Sequence, residues 1–387
     1  MGKPKSPRTS FDRLALCRIL WGWPACHTCD IQQKSESNCT NSGCPGSRLK
    51  ALEPFFQHYE ETAASYIPEL LPGVQPALGS HDDLLRLISH IKQHPTSPRE
   101  QLVGECFAAK QGNSSARPTD ADQNRALHTA LKVMGMIDCS AVESLTTGAL
   151  LKGAAQASSW SPTDSYSVLW GNIFPTKVCP ELSDHSTSSI IKSNLSARKL
   201  VKIGGLKLQA TSDLQNHLRL DTKSGVLEIF HHTSVLKEHL YETKDRIGAC
   251  GNIPRELALE TLNTIYTILF PFADIGSQSI LRRLIRKEGY DPDCRRSAST
   301  AYQRPGEDQL VFKYWGTRLM DLYDEVDDPT PRGYLERWLQ RRSGARYVMM
   351  ATLIGVAIAI ILGMLGLAVA IFQAWVAYQQ WQHPVPV

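Results

Sequence analysis

From Tyr347 to Phe372 the chain runs for 26 residues without a single charge, YVMMATLIGVAIAIILGMLGLAVAIF. A stretch of this kind has few folding options. As a helix it extends about 39 Å at ~1.5 Å per residue, enough to cross a hydrocarbon core of about 30 Å. Lipid offers the backbone no hydrogen-bond partner, so the span must be helical.

The flanks are unequal. Arg332, Arg337, Arg341, Arg342 and Arg346 precede the run against one Glu336, and no Lys, Arg, Asp or Glu follows Arg346. The positive-inside rule therefore puts the large N-terminal part in the cytosol and carries the short tail, 373–387, across the bilayer. Trp338 and Tyr347 on one side, with Trp375, Tyr378 and Trp381 on the other, suit the two interfaces. The stretch LALCRILWGWPAC near the N-terminus is broken by Arg18 and has no convincing cleavage site, so secretory entry is not expected. Together these features predict a single-pass, tail-anchored membrane protein. Endomembrane, the ER or the plasma membrane fits it better than mitochondria.

Two partner expectations follow. Arg337, Arg341, Arg342 and Arg346 face anionic headgroups, each worth about 1 kcal/mol near a charged leaflet. Gly355, Ala359 and Gly363 recur every four residues, a spacing that lets two helices approach closely and predicts a homo-dimer in the membrane.

Charge elsewhere is modest. The formal total is +4, from 42 Lys and Arg against 38 Asp and Glu. Residues 1–18 carry +4 and residues 332–346 carry +4, which leaves 19–331 at −4. The basic groups sit at the two ends, and a nucleic-acid surface is not expected. The N-terminal FDRLALCRILWGW admits two placements, an interfacial helix on the membrane or a helix docked on the protein.

Five of the ten cysteines fall within the first 44 residues. Cys26 and Cys29 form a C-x2-C knuckle, and Cys39 with Cys44 completes a four-thiolate set for zinc. A reducing cytosol favours metal over disulfides. Plain thiols, acylation of Cys17 or a neighbour, and disulfides on the opposite topology are the competing readings. Asn38, Asn113 and Asn194 begin glycosylation triplets that a cytosolic body leaves bare.

The expected fold is α+β: a predominantly helical cytosolic body with a small β-sheet, plus the C-terminal transmembrane helix. The regions are 1–50, Cys-rich and basic; 51–137, helical; 138–245, mixed; 246–346, helical and ending in an Arg-rich juxtamembrane helix; 347–372, the span; and 373–387, the tail. Ser80-His81-Asp82-Asp83 signals one helix start, and Thr119-Asp120 another. Residues 155–165 read as a flexible connection. Tyr166–Phe174 and Leu200–Leu208 read as strands. Leu218–Leu220, a polar turn over 221–225, and Val226–Phe230 read as a hairpin before the helix SVLKEHL. Pro254 opens a helix with Ala258, Leu262, Ile265 and Leu269 on one face.

The segments HLRLDTKSGVLEIFHHTSVLKEHL, WGTRLMDLYDEV and GYLERWLQRRSGARYVMMATLIGVAIAIILG resemble a group of membrane-anchored proteins of filamentous fungi. The resemblance spans roughly 160–385. It implies a single span with a cytosolic body, and no activity.

For chemistry, His217, His231, His232, Glu238 and His239 are the best cluster. His231 with His239 is the candidate metal or general-base pair, although the spacing matches no metal motif and adjacent strand histidines point to opposite faces. Phosphate loops, nucleophile elbows and kinase motifs are absent from the sequence. The leading expectation is a non-enzymatic binding or scaffold module. The alternatives are a membrane-tethered metalloprotein or hydrolase using the His231/His239 region, and an accessory membrane protein of a fungal biosynthetic locus.

Overall fold

The computed structural model describes residues 10–24, 44–69, 74–108, 117–139, 160–183, 185–245, 252–296, 299–307, 310–330 and 347–382. It is mostly helical with one small three-stranded sheet and an apolar C-terminal helix. Two compact units emerge, Met1–Pro329 and Thr330–Val387.

The first unit begins with α1 (Ser10–Trp21), which packs against later helices rather than lying open. Leu16, Cys17, Leu20 and Trp21 are fully or almost fully buried. The docked placement therefore holds, and the membrane-surface alternative fails because the apolar face is already covered. Burial also closes Cys17 to acylation. A 3-10 turn, Pro45–Leu52, leads into α2 (Glu53–Ser65).

The next helices follow their local signals. In α3 (His81–Gln93) the Ser80 hydroxyl accepts from the Asp83 backbone N–H, and the Asp83 carboxylate accepts from that of Ser80. This reciprocal capping box satisfies two end donors, and Leu84, Leu85, Leu87, Ile88 and Ile91 form the buried stripe. α4 (Arg99–Ala108) follows a tight turn, and Thr119 caps α5 (Asp120–Met134).

Four sequence expectations need correcting. Tyr166–Ile173 is a helix, α6, because Ser165 caps it and Tyr166, Leu169 and Trp170 meet the core at helical spacing. Short apolar runs do not separate strand from helix by pattern alone. Within 155–165, residues 160–165 are pinned. Trp160 is buried and donates to the Asp164 carbonyl, while its own carbonyl accepts from Arg99. Only Lys207 and Leu208, at the end of Leu200–Leu208, are strand. Two short helices, α7 (Pro180–Ser183) and α8 (His185–Asn194), precede α9 (Ala197–Lys202), which ends before Gly204. A Cβ on Gly204 would sit 2.9 Å from the Leu200 carbonyl, and Gly205 has φ +62°, so this pair makes a turn only glycine tolerates. The fourth correction concerns His231 and His232 and is taken up with the site.

The sheet is β1 (Lys207–Thr211), β2 (Arg219–Asp221) and β3 (Val226–Phe230), in spatial order β1-β3-β2. β1 runs parallel to β3, with Thr211 opposite Phe230. β2 and β3 form the expected antiparallel hairpin. Asp221 builds its turn, accepting from the Lys223 N–H and the Ser224 hydroxyl, and Gly225 closes it at φ +70°.

α10 (Thr233–Lys244) follows directly and is buried over its first two turns. α11 (Arg255–Asn263) runs on as a π-helical segment, Thr264–Leu269, and the four expected face residues are all buried. α12 (Ile275–Lys287) and α13 (Ser299–Tyr302) lead to α14 (Gly316–Asp327). The start of α14 is held by Glu260, which accepts from the backbone N–H groups of Lys313, Tyr314 and Trp315 at 3.0, 3.0 and 2.5 Å.

Among the described residues, the second unit holds one helix, α15 (Tyr347–Gln382). Its stretch Thr352–Gln379 is long and apolar enough to cross a membrane, so the apolar helix continues past Phe372.

Candidate functional site

Where β1 ends, the chain turns through Ser212 and Asp213 into a 3-10 turn, Leu214–Asn216. This turn, one side of α2 and the segment after α5 enclose a polar cleft of about 470 Å³. Its walls carry His58, Glu61 and Ser65 from α2, Lys132 near the end of α5 and Asp138 beyond it, and Ser212, Asp213 and Asn216 from the sheet side. A second lobe of about 560 Å³ shares Thr62, Ser65, Lys132 and Asp138, and adds Glu69, Arg125 and His128.

The backbone here is strained. Met136 lines the cleft at φ +52°, and its carbonyl accepts from the Leu214 N–H at 2.8 Å. Non-glycine residues in this region cost roughly 1–3 kcal/mol and persist where surrounding structure fixes them.

Lys132 and Asp138 pair at 2.9 Å at the junction of the lobes. Asp213 accepts from the Gln215 N–H at 2.9 Å and from Asn216 Nδ2 at 3.2 Å. Burial pushes its carboxyl up to about 6, helped by the nearby Asp138 charge and opposed by the Gln215 N–H. Burial drives His58 down to about 4, so its ring is neutral at neutral pH. The cleft thus offers hydroxyls, a neutral imidazole, an ion pair and a carboxyl that titrates just below neutrality. Clefts with convergent polar groups and perturbed acids are where small polar ligands bind.

Behind this wall lie the histidines singled out in the sequence. His231 and His232 do not point to opposite faces; their rings are 4.0 Å apart. Strand alternation stops at Phe230, and His232 caps α10 in a non-strand conformation. His231 Nδ1 accepts from the Asp291 N–H at 3.1 Å. His232 Nε2 lies 3.0 Å from the Ser212 hydroxyl. His217 Nδ1 accepts from the Phe230 N–H, so its Nε2 donates to Thr264 Oγ1 at 2.7 Å. Trp21 Nε1 lies 3.5 Å from His239 Nε2. Burial lowers all four, His231 to about 4, His239 to about 3, and His217 and His232 well below the usual value. Glu238 bonds Trp23 Nε1 at 2.9 Å and pairs with Arg48 at 2.8 Å.

His231 and His239 fall in no group of three or more converging donor atoms among the described residues. One nitrogen of each ring faces a protein donor, His231 Nδ1 the Asp291 N–H and His239 Nε2 the Trp21 indole, while His239 Nδ1 is buried without a hydrogen-bond partner among the described residues. Cys44 is buried, whereas Cys26, Cys29 and Cys39 lie outside the described residues, as do Arg337, Arg341, Arg342 and Arg346. Gly355, Ala359 and Gly363 lie on α15, and among the described residues nothing beyond the helix's own backbone comes within 4 Å of a Cβ built on either glycine.

No sequence pattern marked Ser212 and Asp213 as a cleft wall. Met136 and Asp138 gave no signal, because left-handed backbone at a methionine has no sequence signature. No protein-family model, curated protein or solved structure matches this chain.

Proposed function

We propose that the chain is a membrane-anchored binding module. Its C-terminal helix, Thr352–Gln379, is the observation that carries this reading, because a helix of that length and hydropathy matches the hydrocarbon core of a bilayer. The arginines before the helix orient the body toward the cytosol, at an endomembrane or the plasma membrane. The polar cleft beside β1 then serves as the ligand-binding face. Partners held at the same membrane, such as the enzymes of one biosynthetic locus, are the class this module suits.

Alkaline carbonate extraction and co-purification test the reading. The full chain stays in the membrane pellet and, once solubilised in detergent, brings a stoichiometric partner that is lost when Lys132 and Asp138 are both changed to Ala. A chain released into the supernatant contradicts it.

A second reading has one observation in its favour. Ser212 lines the cleft with a neutral histidine 3.0 Å from its hydroxyl, which is the nucleophile and base of acyl transfer. On this reading a fluorophosphonate probe labels the wild-type chain and not Ser212→Ala. Equal labelling of both excludes it.

A further inference from the structure

The turn joining α3 to α4 brings together three side chains that the sequence did not single out. His90 and His94 are one helical turn apart, on the same face at the end of α3, with ring centroids 4.7 Å apart. Glu105 reaches them from α4, its Oε2 lying 3.0 Å from His90 Nε2. One donor atom from each of the three lies within 4.8 Å of the others.

The surroundings hold this geometry. Gln101 Nε2 donates to Glu105 Oε1 at 2.8 Å, which leaves Oε2 turned toward the histidines. An outer hydrogen bond of this kind fixes a carboxylate ligand and keeps it ionised. The connecting backbone is clamped as well. The Ser97 N–H donates to the His94 carbonyl, Pro95 O accepts from both the N–H and the hydroxyl of Ser167, and the Arg99 and Glu100 N–H groups donate to the carbonyls of Asp164 and Pro162. The nearest cation on the helix, Lys92, turns the other way, to Glu242 and the Leu20 carbonyl.

We infer that His90, His94 and Glu105 form a binding site for one divalent cation of the zinc class. Two imidazoles and a carboxylate select Zn, Co, Ni or Cu ions over Mg and Ca, which prefer all-oxygen shells. Three protein ligands leave a fourth position open, and the exposure of His94 and Glu105 turns it to solvent, where water or a donor from another molecule completes the shell. Binding exchanges the His90–Glu105 hydrogen bond for two metal–ligand bonds.

Cobalt(II) is the probe, because its spectrum distinguishes this donor set from cysteine thiolates. The full chain in detergent is stripped with chelator and titrated with Co²⁺, and then with Zn²⁺ against a chromogenic chelator. The expected result is one equivalent bound at micromolar concentration without a thiolate charge-transfer band, and displaced by Zn²⁺. His94→Ala abolishes it. Glu105→Gln weakens it by about tenfold or more. Both positions are exposed, so the apo-protein unfolds at the wild-type temperature, which separates metal loss from misfolding. Binding carried wholly by thiolates, or identical titrations for wild type and His94→Ala, overturns the inference. So does an affinity seen only at millimolar metal.

Discussion

α10 and α15 break the usual rule of helix burial in opposite ways. α10 buries Lys237, Glu238 and His239 in succession, and α15 leaves Leu353 through Phe372 uncovered by the rest of its unit. In α10 every buried ionic group finds a partner inside the body. Lys237 meets Asp293 at 2.6 Å and the Arg296 carbonyl, and Glu238 meets Arg48 and Trp23. α15 shows the reverse pattern, an exposed apolar surface with the length and hydropathy of a membrane span. The buried charges Lys237 and Glu238 are therefore met within the body, whereas the exposed apolar surface of α15 suits a hydrocarbon solvent.

The strongest way to break that contrast is to put charge into the anchor. Leu362→Asp with Leu365→Asp costs about 2.5–3.5 kcal/mol per residue at a bilayer centre. The double variant moves from the carbonate-resistant pellet to the supernatant, with the unfolding of its body unchanged. Retention in the pellet would mean that α15 is held by protein rather than lipid.

The converse change removes a charge from α10. Lys237→Met leaves the Asp293 carboxylate buried without its ammonium, and breaking a buried pair in this way costs about 3–5 kcal/mol. Denaturant unfolding of the detergent-solubilised chain measures it, and a loss below about 1 kcal/mol would show that Asp293 has another counter-ion.

The pH dependence sharpens the same picture. Burial raises Glu238 from 4.5 to about 7 in the fold. Between these values the unfolded chain has released the proton and the folded chain has not, so the contribution of Glu238 to stability declines as pH rises through this window. Its replacement by Gln removes roughly 1–3 kcal/mol of that slope. His239 has the opposite sign. Burial lowers it from 6.5 to about 3, so its contribution is complete above pH 6.5 and is lost as pH falls toward 3. His239→Gln makes the acid limb shallower. Unfolding curves across pH 3–8 read both, and parallel profiles for wild type and variants would refute the assignment.

The smallest effect concerns the face of α15. Gly355→Ile with Gly363→Ile adds bulk where a Cβ meets open space among the described residues, so the comparison reads contacts between molecules. If the helix dimerises there, association in membranes weakens by about 1–2 kcal/mol. Unchanged energy transfer between labelled copies excludes that face.

The sequence revealed features whose cause is local. The apolar C-terminal helix follows from a charge-free run, α3 from Ser80 and Asp83, and the hairpin from Asp221 to Gly225. It misled where tertiary packing decides: Tyr166–Ile173 is helical because Trp170 and Leu169 meet the core on one face, and His231 and His232 come together only because β3 ends before them. The cleft depends on Met136 at positive φ and on two segments joined across the fold. The His90–His94 spacing was open to view, but Glu105 comes fifteen residues later than His90 and joins them only once the turn between α3 and α4 is built.

Protease treatment of sealed microsomes carrying the full chain tests the central claim most directly. The account predicts that added protease destroys the body without detergent, leaves a short membrane-protected fragment containing α15, and finds no glycan on Asn38, Asn113 or Asn194. A body that survives until detergent is added, or that carries a glycan at any of these positions, would contradict it.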